Sequence, residues 1–336
     1  MLRRSRKPVV LGVNKVDHIK YADSVYDFYE LGIGAPVALS AEQGLGIGDL
    51  LDEVVSYFEK NPEDEHPEVT NIAVVGKPNV GKSSLVNALL GQERTIVSDI
   101  AGTTRDAIDT PFTYGGRDYM LVDTAGIRRK RAIEDESIER YSVIRSLGAI
   151  RRADVVLIVI DAEEGLSEQD VRIAGYVHEE GKASVLIVNK WDLIEKDTHT
   201  MNEFKKKLSA DLAFMDYVPM LFISALSGQR VGKVMEQADF AYAQNCLRVS
   251  TGTLNDIVSE AVMVTEPPSD KGRRLKIYYA TQVSVKPPTF VLFVNEPELM
   301  HFSYKRYMEN YIRKSFGLTA TPIRLLVRQR TKNAPL

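Results

Sequence analysis

From residue 71 onward, short apolar runs alternate with stretches whose apolar positions recur at helical spacing. Residues 72–75, 120–122, 155–160, 185–188 and 220–223 form the runs, and 84–90 and 170–177 are the clearest amphipathic stretches between them. Strands that are apolar at nearly every position are those buried on both faces. The pattern therefore predicts an α/β unit, a mainly parallel sheet held between two helical layers. Gly115-Gly116 separates 108–114 from 117–122 as in a tight hairpin, and is expected to supply one antiparallel edge strand.

The flanks read differently. Beyond residue 245 the order is helix (253–264), strand (276–285), strand (289–294), helix (304–316), strand (323–327), which suggests a small α+β domain. In its second helix Tyr304, Tyr307, Met308, Tyr311 and Ile312 fall on one face and are expected to be core. Ahead of residue 60 lie a strand (9–13), Asn14-Lys15-Val16-Asp17, a helix (21–31), a strand (37–39), Ser40-Ala41 and a helix (47–58). The same order recurs at Asn189 to Asp192, 202–212, 220–223 and Ser224-Ala225, so the chain contains an internal repeat with an incomplete first copy. The acidic, proline-bearing stretch between Lys60 and Glu68 reads as a linker. These boundaries divide the chain into 1–60, a linker at 61–70, 71–244 and 245–336.

Composition narrows the classes. The apolar fraction of 44% and charged fraction of 26% are those of ordinary folded proteins, and no apolar run approaches the length of a membrane span. The basic start lacks the long apolar stretch of a secretory signal. A lone cysteine, Cys246, permits no internal disulfide; a cytoplasmic protein without a disulfide-linked partner is expected. The net charge of -3 is uneven, for residues 245–336 hold 14 Lys and Arg against 7 Asp and Glu. That end could meet nucleic acid or be merely solvated.

The chemistry sits at strand ends. Gly76-Lys77-Pro78-Asn79-Val80-Gly81-Lys82-Ser83, followed by Ser84, matches the phosphate-cradling G-x-x-x-x-G-K-[ST] loop and lies between an expected strand and helix. Backbone N–H groups there close around phosphates, Lys82 reaches their outer oxygens, and the Ser83 hydroxyl suits Mg²⁺. Asp123-Thr124-Ala125-Gly126 follows the 120–122 strand, where an aspartate can hold Mg²⁺ and a glycine N–H can meet the γ-phosphate. Asn189-Lys190-Trp191-Asp192 closes the 185–188 strand, and the Asp192 carboxylate can accept both guanine N1–H and the 2-amino group, a pair adenine does not offer. Between the first two motifs lies a polar loop in which either Thr103 or Thr104 could complete the Mg²⁺ shell while the γ-phosphate is present; Thr104 is taken as the switch threonine. Lys82, Thr104 and Gly126 are thus the groups expected to act on the reacting phosphate. Ile127 stands where a water-orienting glutamine is often found, so another group must position that water.

These motifs, with Ser224-Ala225 as the fifth, resemble those of the Era/TrmE-like group of bacterial, Ras-like P-loop GTPases. A second GTPase copy in front and an α+β tail behind make the whole chain similar to the Der (EngA) family of double-GTPase ribosome-assembly factors, whose last domain is KH-like. The resemblance implies GTP hydrolysis coupled to maturation of the large (50S) ribosomal subunit, with that subunit and its rRNA as partners and no membrane. It also implies a K⁺ ion held by Asn79, whose plainer role is that of a turn residue. A scaffold that binds nucleotide but scarcely turns it over is the alternative. The chain departs from the pattern twice. Gly76 precedes Asn189 by 113 residues, so a phosphate loop partnering Asn14 would fall roughly a hundred residues ahead of Met1. Residues 1–60 are accordingly expected to be the C-terminal remnant of a first GTPase domain, without a phosphate cradle. The basic domain also lacks the G-x-x-G of RNA-clamping KH modules.

Overall fold

The computed structural model describes residues 9–16, 23–32, 35–43, 45–57, 69–92, 95–97, 109–124, 146–270 and 272–330. Its centre is a seven-stranded sheet of β3 (Thr70–Val75), β4 (Thr95–Val97), β5 (Thr110–Tyr114), β6 (Arg117–Leu121), β7 (Val155–Asp161), β8 (Ala183–Asn189) and β9 (Met220–Phe222), in the order β4-β5-β6-β3-β7-β8-β9. The strands from β6 to β9 run parallel, whereas β5 is antiparallel to both β6 and β4.

Both faces are packed, as the unbroken apolar runs require. On one side Ile72, Val74, Val155, Leu157 and Val159 meet α2 (Lys82–Leu90) and α5 (Gly232–Asn245). On the other, Ala73, Val75, Val156, Ile158 and Ile160 meet α3 (Glu168–Glu179) and α4 (Thr200–Asp211). Each fully buried aliphatic side chain contributes about 1.5–3 kcal/mol. This is the P-loop GTPase fold.

The hairpin forms as expected, with Gly115 (φ 59°) and Gly116 (φ 83°) both in the left-handed region that a two-residue turn of this hand demands. It corrects one expectation: β5 is not the edge, because β4 pairs outside it. At three residues β4 is too short to carry a periodic signal. Helix α5 was also absent from the sequence pattern. Its buried face is built on Val234, Met235, Ala238 and Ala241, and two small alanines give little apolar contrast.

The C-terminal domain is α6 (Thr251–Val264), a short β10 (Ser269–Asp270) and β11 (Arg273–Arg274) hairpin, β12 (Ile277–Ser284), β13 (Thr289–Val294), α7 (Phe302–Phe316) and β14 (Arg324–Gln329). Strand β13 lies centrally, antiparallel to β12 and parallel to β14. Tyr304, Met308 and Ile312 of α7 are buried, and the Tyr304 and Tyr307 hydroxyls donate to the carbonyls of Thr265 and Ala261, which cap off α6. The domain docks where β8 begins: Ser184 N–H donates to Ala320 O (2.9 Å), Ala320 N–H to Tyr217 O (2.9 Å) and Lys286 N–H to Asn245 O (2.9 Å).

Ahead of residue 58, β1 (Leu11–Val13) pairs in parallel with β2 (Pro36–Ala38), and α1 (Ile47–Ser56) follows. The helix expected at 21–31 takes a tighter 3₁₀ form over Asp23–Leu31. Phe28, Tyr29 and Leu31 on it are exposed, so little burial rewards a regular α-helix there.

Candidate nucleotide site

All the sequence-selected residues that are described lie at one end of the sheet, at the C-terminal ends of β3, β6, β8 and β9. The loop after β3 turns back on itself before α2, and two of its glycines are required by space as well as by conformation. A Cβ on Gly76 (φ 148°) would stand 2.2 Å from the Val159 carbonyl oxygen, and one on Gly81 (φ 96°) 2.1 Å from Asn189 Nδ2. Gly81 occupies the N-cap of α2, so the N-terminus of that helix opens onto the loop. Val80 is fully buried and anchors the loop, while Pro78, Asn79, Ser83 and Ser84 are exposed along it. Asn79 has φ 65°, a turn conformation that asparagine tolerates better than most residues. The Lys82 ammonium donates to the Lys77 carbonyl (2.5 Å).

Asn189 ties the loops together. Its carboxamide N–H donates to Val80 O (2.8 Å), and its carboxamide oxygen accepts from Ala225 N–H (2.9 Å). One buried side chain thereby fixes the distance between the phosphate loop, the Asn189–Asp192 loop and Ser224-Ala225. Ser224 is buried, and its hydroxyl accepts from Ser227 N–H (3.1 Å), closing the last of these loops. Lys190 takes a left-handed conformation (φ 59°), which leaves Asp192 exposed at the rim. Trp191 turns the other way. It is buried against Phe204 and Phe222, with ring centroids at 5.1 and 4.5 Å, so its indole belongs to the core and leaves only its backbone to the site.

At the end of β6, Asp123 holds φ 58° and its N–H donates to Asp109 Oδ1 (3.0 Å), while the Thr124 hydroxyl shares a hydrogen bond with that of Thr110 (2.8 Å). Arg152 pairs with Asp109 from the neighbouring element. The Ser83 hydroxyl and the Asp123 carboxylate are hard oxygen donors of the kind Mg²⁺ takes. Thr103, Thr104, Ala125, Gly126 and Ile127 lie outside the described residues.

Sequence reading missed four acidic residues around this site. Asp109 orients Asp123. Asp161, at the end of β7, pairs with Lys190 Nζ (2.5 Å), and Glu164 and Asp170 approach Lys77 Nζ at 2.6 and 3.8 Å. Asp161 and Asp170 are each 1% exposed. Burial alone would raise the Asp161 carboxyl's pKa, but the Lys190 ammonium and the Glu163 N–H outweigh it and hold it below the usual carboxylate range. Burial likewise works against a charged Lys77, and Glu164 and Asp170 reverse the effect. Asp161 shares its place, the C-terminal end of a parallel strand, with the recognised motifs, and that was the available signal.

Comparison with known proteins agrees with this geometry. The family described as 50S ribosome-binding GTPase matches residues 71–190, and the KH-domain-like C-terminal domain of EngA bacterial GTPase enzymes matches residues 248–328. GTPase Der of Alkaliphilus oremlandii is 58% identical over 334 residues, covering 98% of this chain and 75% of that protein. GTPase Der of Desulfitobacterium hafniense is 60% identical over 330 residues, covering 98% of this chain and 74% of that one. Among solved structures, Era bound to MgGDPNP and a segment of 16S ribosomal RNA aligns with 80% of this chain and 95% of that chain, at 21% identity and a TM-score of 0.40. With 58–60% identity to these relatives along nearly its whole length, and with the EngA KH-like domain following the GTPase match, the chain belongs to the Der family of GTPases, which bind GTP or GDP with Mg²⁺ and hydrolyse GTP.

Proposed function

We propose that the chain is a GTP-driven switch acting in assembly of the large ribosomal subunit, with one complete nucleotide seat between Gly76 and Ala225. The observation that carries the seat is Asn189, whose two hydrogen bonds clasp the phosphate loop to the base-reading loops. In this reading the N–H groups of the loop from Gly76 to Ser83 cradle the phosphates, Lys82 neutralises their outer oxygens, and Asp192 reads the guanine edge. Ser83 and Asp123, with Thr104, are the residues that would hold Mg²⁺, which when bound offsets the charge developing between the β and γ phosphates. Thr104 and Gly126 are the proposed γ-phosphate sensors. Asn79 is the proposed K⁺ ligand.

The division into 1–60, 61–70, 71–244 and 245–336 belongs to the same proposal, with 1–60 as the remnant of a first GTPase unit. A matching geometry supports it. Asn14 Oδ1 accepts from Ala41 N–H at 2.9 Å as Asn189 Oδ1 does from Ala225. Lys15 (φ 69°) matches Lys190 (φ 59°), and the Ser40–Leu45 bridge matches Ser224–Gln229.

Support for a ribosomal partner comes from the description of the family matching residues 71–190 and from the basic KH-like domain. The test is sedimentation with large-subunit particles in the presence of a non-hydrolysable GTP analogue or GDP. Binding with the analogue alone supports the switch. Equal binding with both, or none, would remove it.

A further inference from the structure

Two lysines of the nucleotide seat are held by carboxylates from one segment that belongs to none of the five motifs. Lys77 comes from the phosphate loop and Lys190 from the base-reading loop; Asp161, Glu164 and Asp170 all lie between the end of β7 and the first turn of α3. The segment is tied together by its own hydrogen bonds. Asp161 Oδ1 accepts from Glu163 N–H (2.9 Å), and the Asp161 carbonyl accepts from Gly165 N–H (3.0 Å). Asp170 completes a capping box, its Oδ2 accepting from Ser167 N–H (3.0 Å) and Ser167 Oγ (2.6 Å). The phosphate loop reaches this frame through the Lys77 side chain, and the Lys77 carbonyl accepts from the Lys82 ammonium.

We propose that the segment from Asp161 to Asp170 is a carboxylate brace that positions the phosphate loop through Lys77 and the base-reading loop through Lys190, so that the seat is formed before nucleotide arrives. Lys77 is then a positioning residue whose ammonium faces protein carboxylates, and not a group that acts on the transferring phosphate. A loop already ordered binds without the entropic cost of ordering it, so the brace acts on nucleotide affinity more than on the chemical step. The two halves differ in what they protect. Loosening Lys77 frees the loop that holds phosphates; loosening Lys190 frees the loop that reads the base.

The inference rests on the seat proposed above, and Lys82→Ala tests that reading separately: GDP binding unaffected by Lys82→Ala would remove the seat itself. For the brace the variants are Lys77→Gln, its conservative partner Lys77→Arg, and Asp161→Asn, each compared with the parent chain at equal thermal stability. Asp170 is left intact because its loss would also uncap α3. In Lys77→Gln, GDP dissociation and the GTP KM should rise about 10-fold with kcat changed less than 3-fold, and Lys77→Arg should restore both. Asp161→Asn should narrow the preference for GDP over inosine diphosphate, which lacks the 2-amino group, by a similar factor. A kcat that falls as far as KM rises would make Lys77 a phosphate-contacting group and overturn the brace. GDP dissociation within 2-fold of the parent in both Lys77→Gln and Asp161→Asn would overturn it as well.

Discussion

At the scale of single residues, the motif positions were legible because their chemistry is local: glycines where no Cβ fits, a lysine beside them, an asparagine and an aspartate three apart. Asp192 illustrates how much rests on one carboxylate. Asp192→Asn should turn the preference from GTP toward xanthosine triphosphate, since an amide cannot accept two donors but can pair with the additional carbonyl. Sites that lose a hydrogen bond they were built to make discriminate by about 10⁴-fold or more, and competition binding between the two triphosphates reads this directly. Asn189→Ala leaves Val80 O and Ala225 N–H without their partner, at about 1–3 kcal/mol for each buried group so stranded; urea denaturation should show the loss. What sequence could not show is which way a motif residue faces. Trp191 sits between Lys190 and Asp192 yet fills the core, because a left-handed Lys190 turns the chain there. Asp161, Glu164 and Asp170 are distant in sequence from the residues they hold, and only the sheet order brings them near, whereas Asp109 meets Asp123 across the β5–β6 hairpin.

Among elements, the buried strands were the clearest in the sequence, since a strand covered on both faces is apolar throughout. Strand β4 and helix α5 were lost for opposite reasons, one too short and the other too weakly apolar on its buried face. Helix α3 shows what an element can join. Its first turn stands beside Lys77, and its last turn meets the C-terminal domain, Glu179 O accepting from Arg324, while His178 Nδ1 shares a hydrogen bond with the hydroxyl of Tyr217 (2.8 Å), which belongs to the same unit as the helix. The Arg313 guanidinium lies over the Tyr217 ring at 4.4 Å, and Phe214 meets the imidazole edge-on. Burial, reinforced by the positive charges of Arg313 and Arg324 and opposed by Glu179, holds the His178 pKa below its ordinary 6.5. Because the unfolded chain takes this proton more readily, the stabilising contribution is complete above the ordinary value. It is lost as pH falls from there through the lowered folded value. Urea midpoints measured across that window should decline in the parent, and a His178→Gln variant should lack that part of the decline.

For the whole molecule, the order of a GTPase unit followed by a KH-like domain was visible in the sequence, while the docking of one on the other was not. Part of that docking is backbone hydrogen bonds, such as Ser184 N–H to Ala320 O, which leave no residue signature, and part is side-chain contact between residues far apart in sequence, such as Lys286 Nζ donating to the Tyr242 hydroxyl (2.8 Å). Charge is also redistributed by folding. Arg273 pairs with Glu296 (2.7 Å), Arg274 with Glu266 (3.2 Å), and the Arg330 guanidinium stacks over Tyr278 (5.0 Å), so the basic surplus of the C-terminal domain is partly engaged within the protein. If the proposed rRNA contact is made, it should weaken with salt, with a log–log slope of about 0.7–0.9 per phosphate contact. Reversing Lys276 and Arg328, both exposed, should flatten that slope by roughly 2 contacts; an unchanged slope would place the RNA contact elsewhere.

The central claim is that, within residues 1–336, the guanine-nucleotide seat is the one built where Asn189 clasps the phosphate loop, since the matching loop at Asn14 has no phosphate-loop motif of its own in that span. Calorimetric titration of the chain with GDP tests this most directly. One site per chain, with ADP giving no heat under the same conditions, is the result predicted. Two sites of similar affinity, or equal binding of ADP, would contradict it.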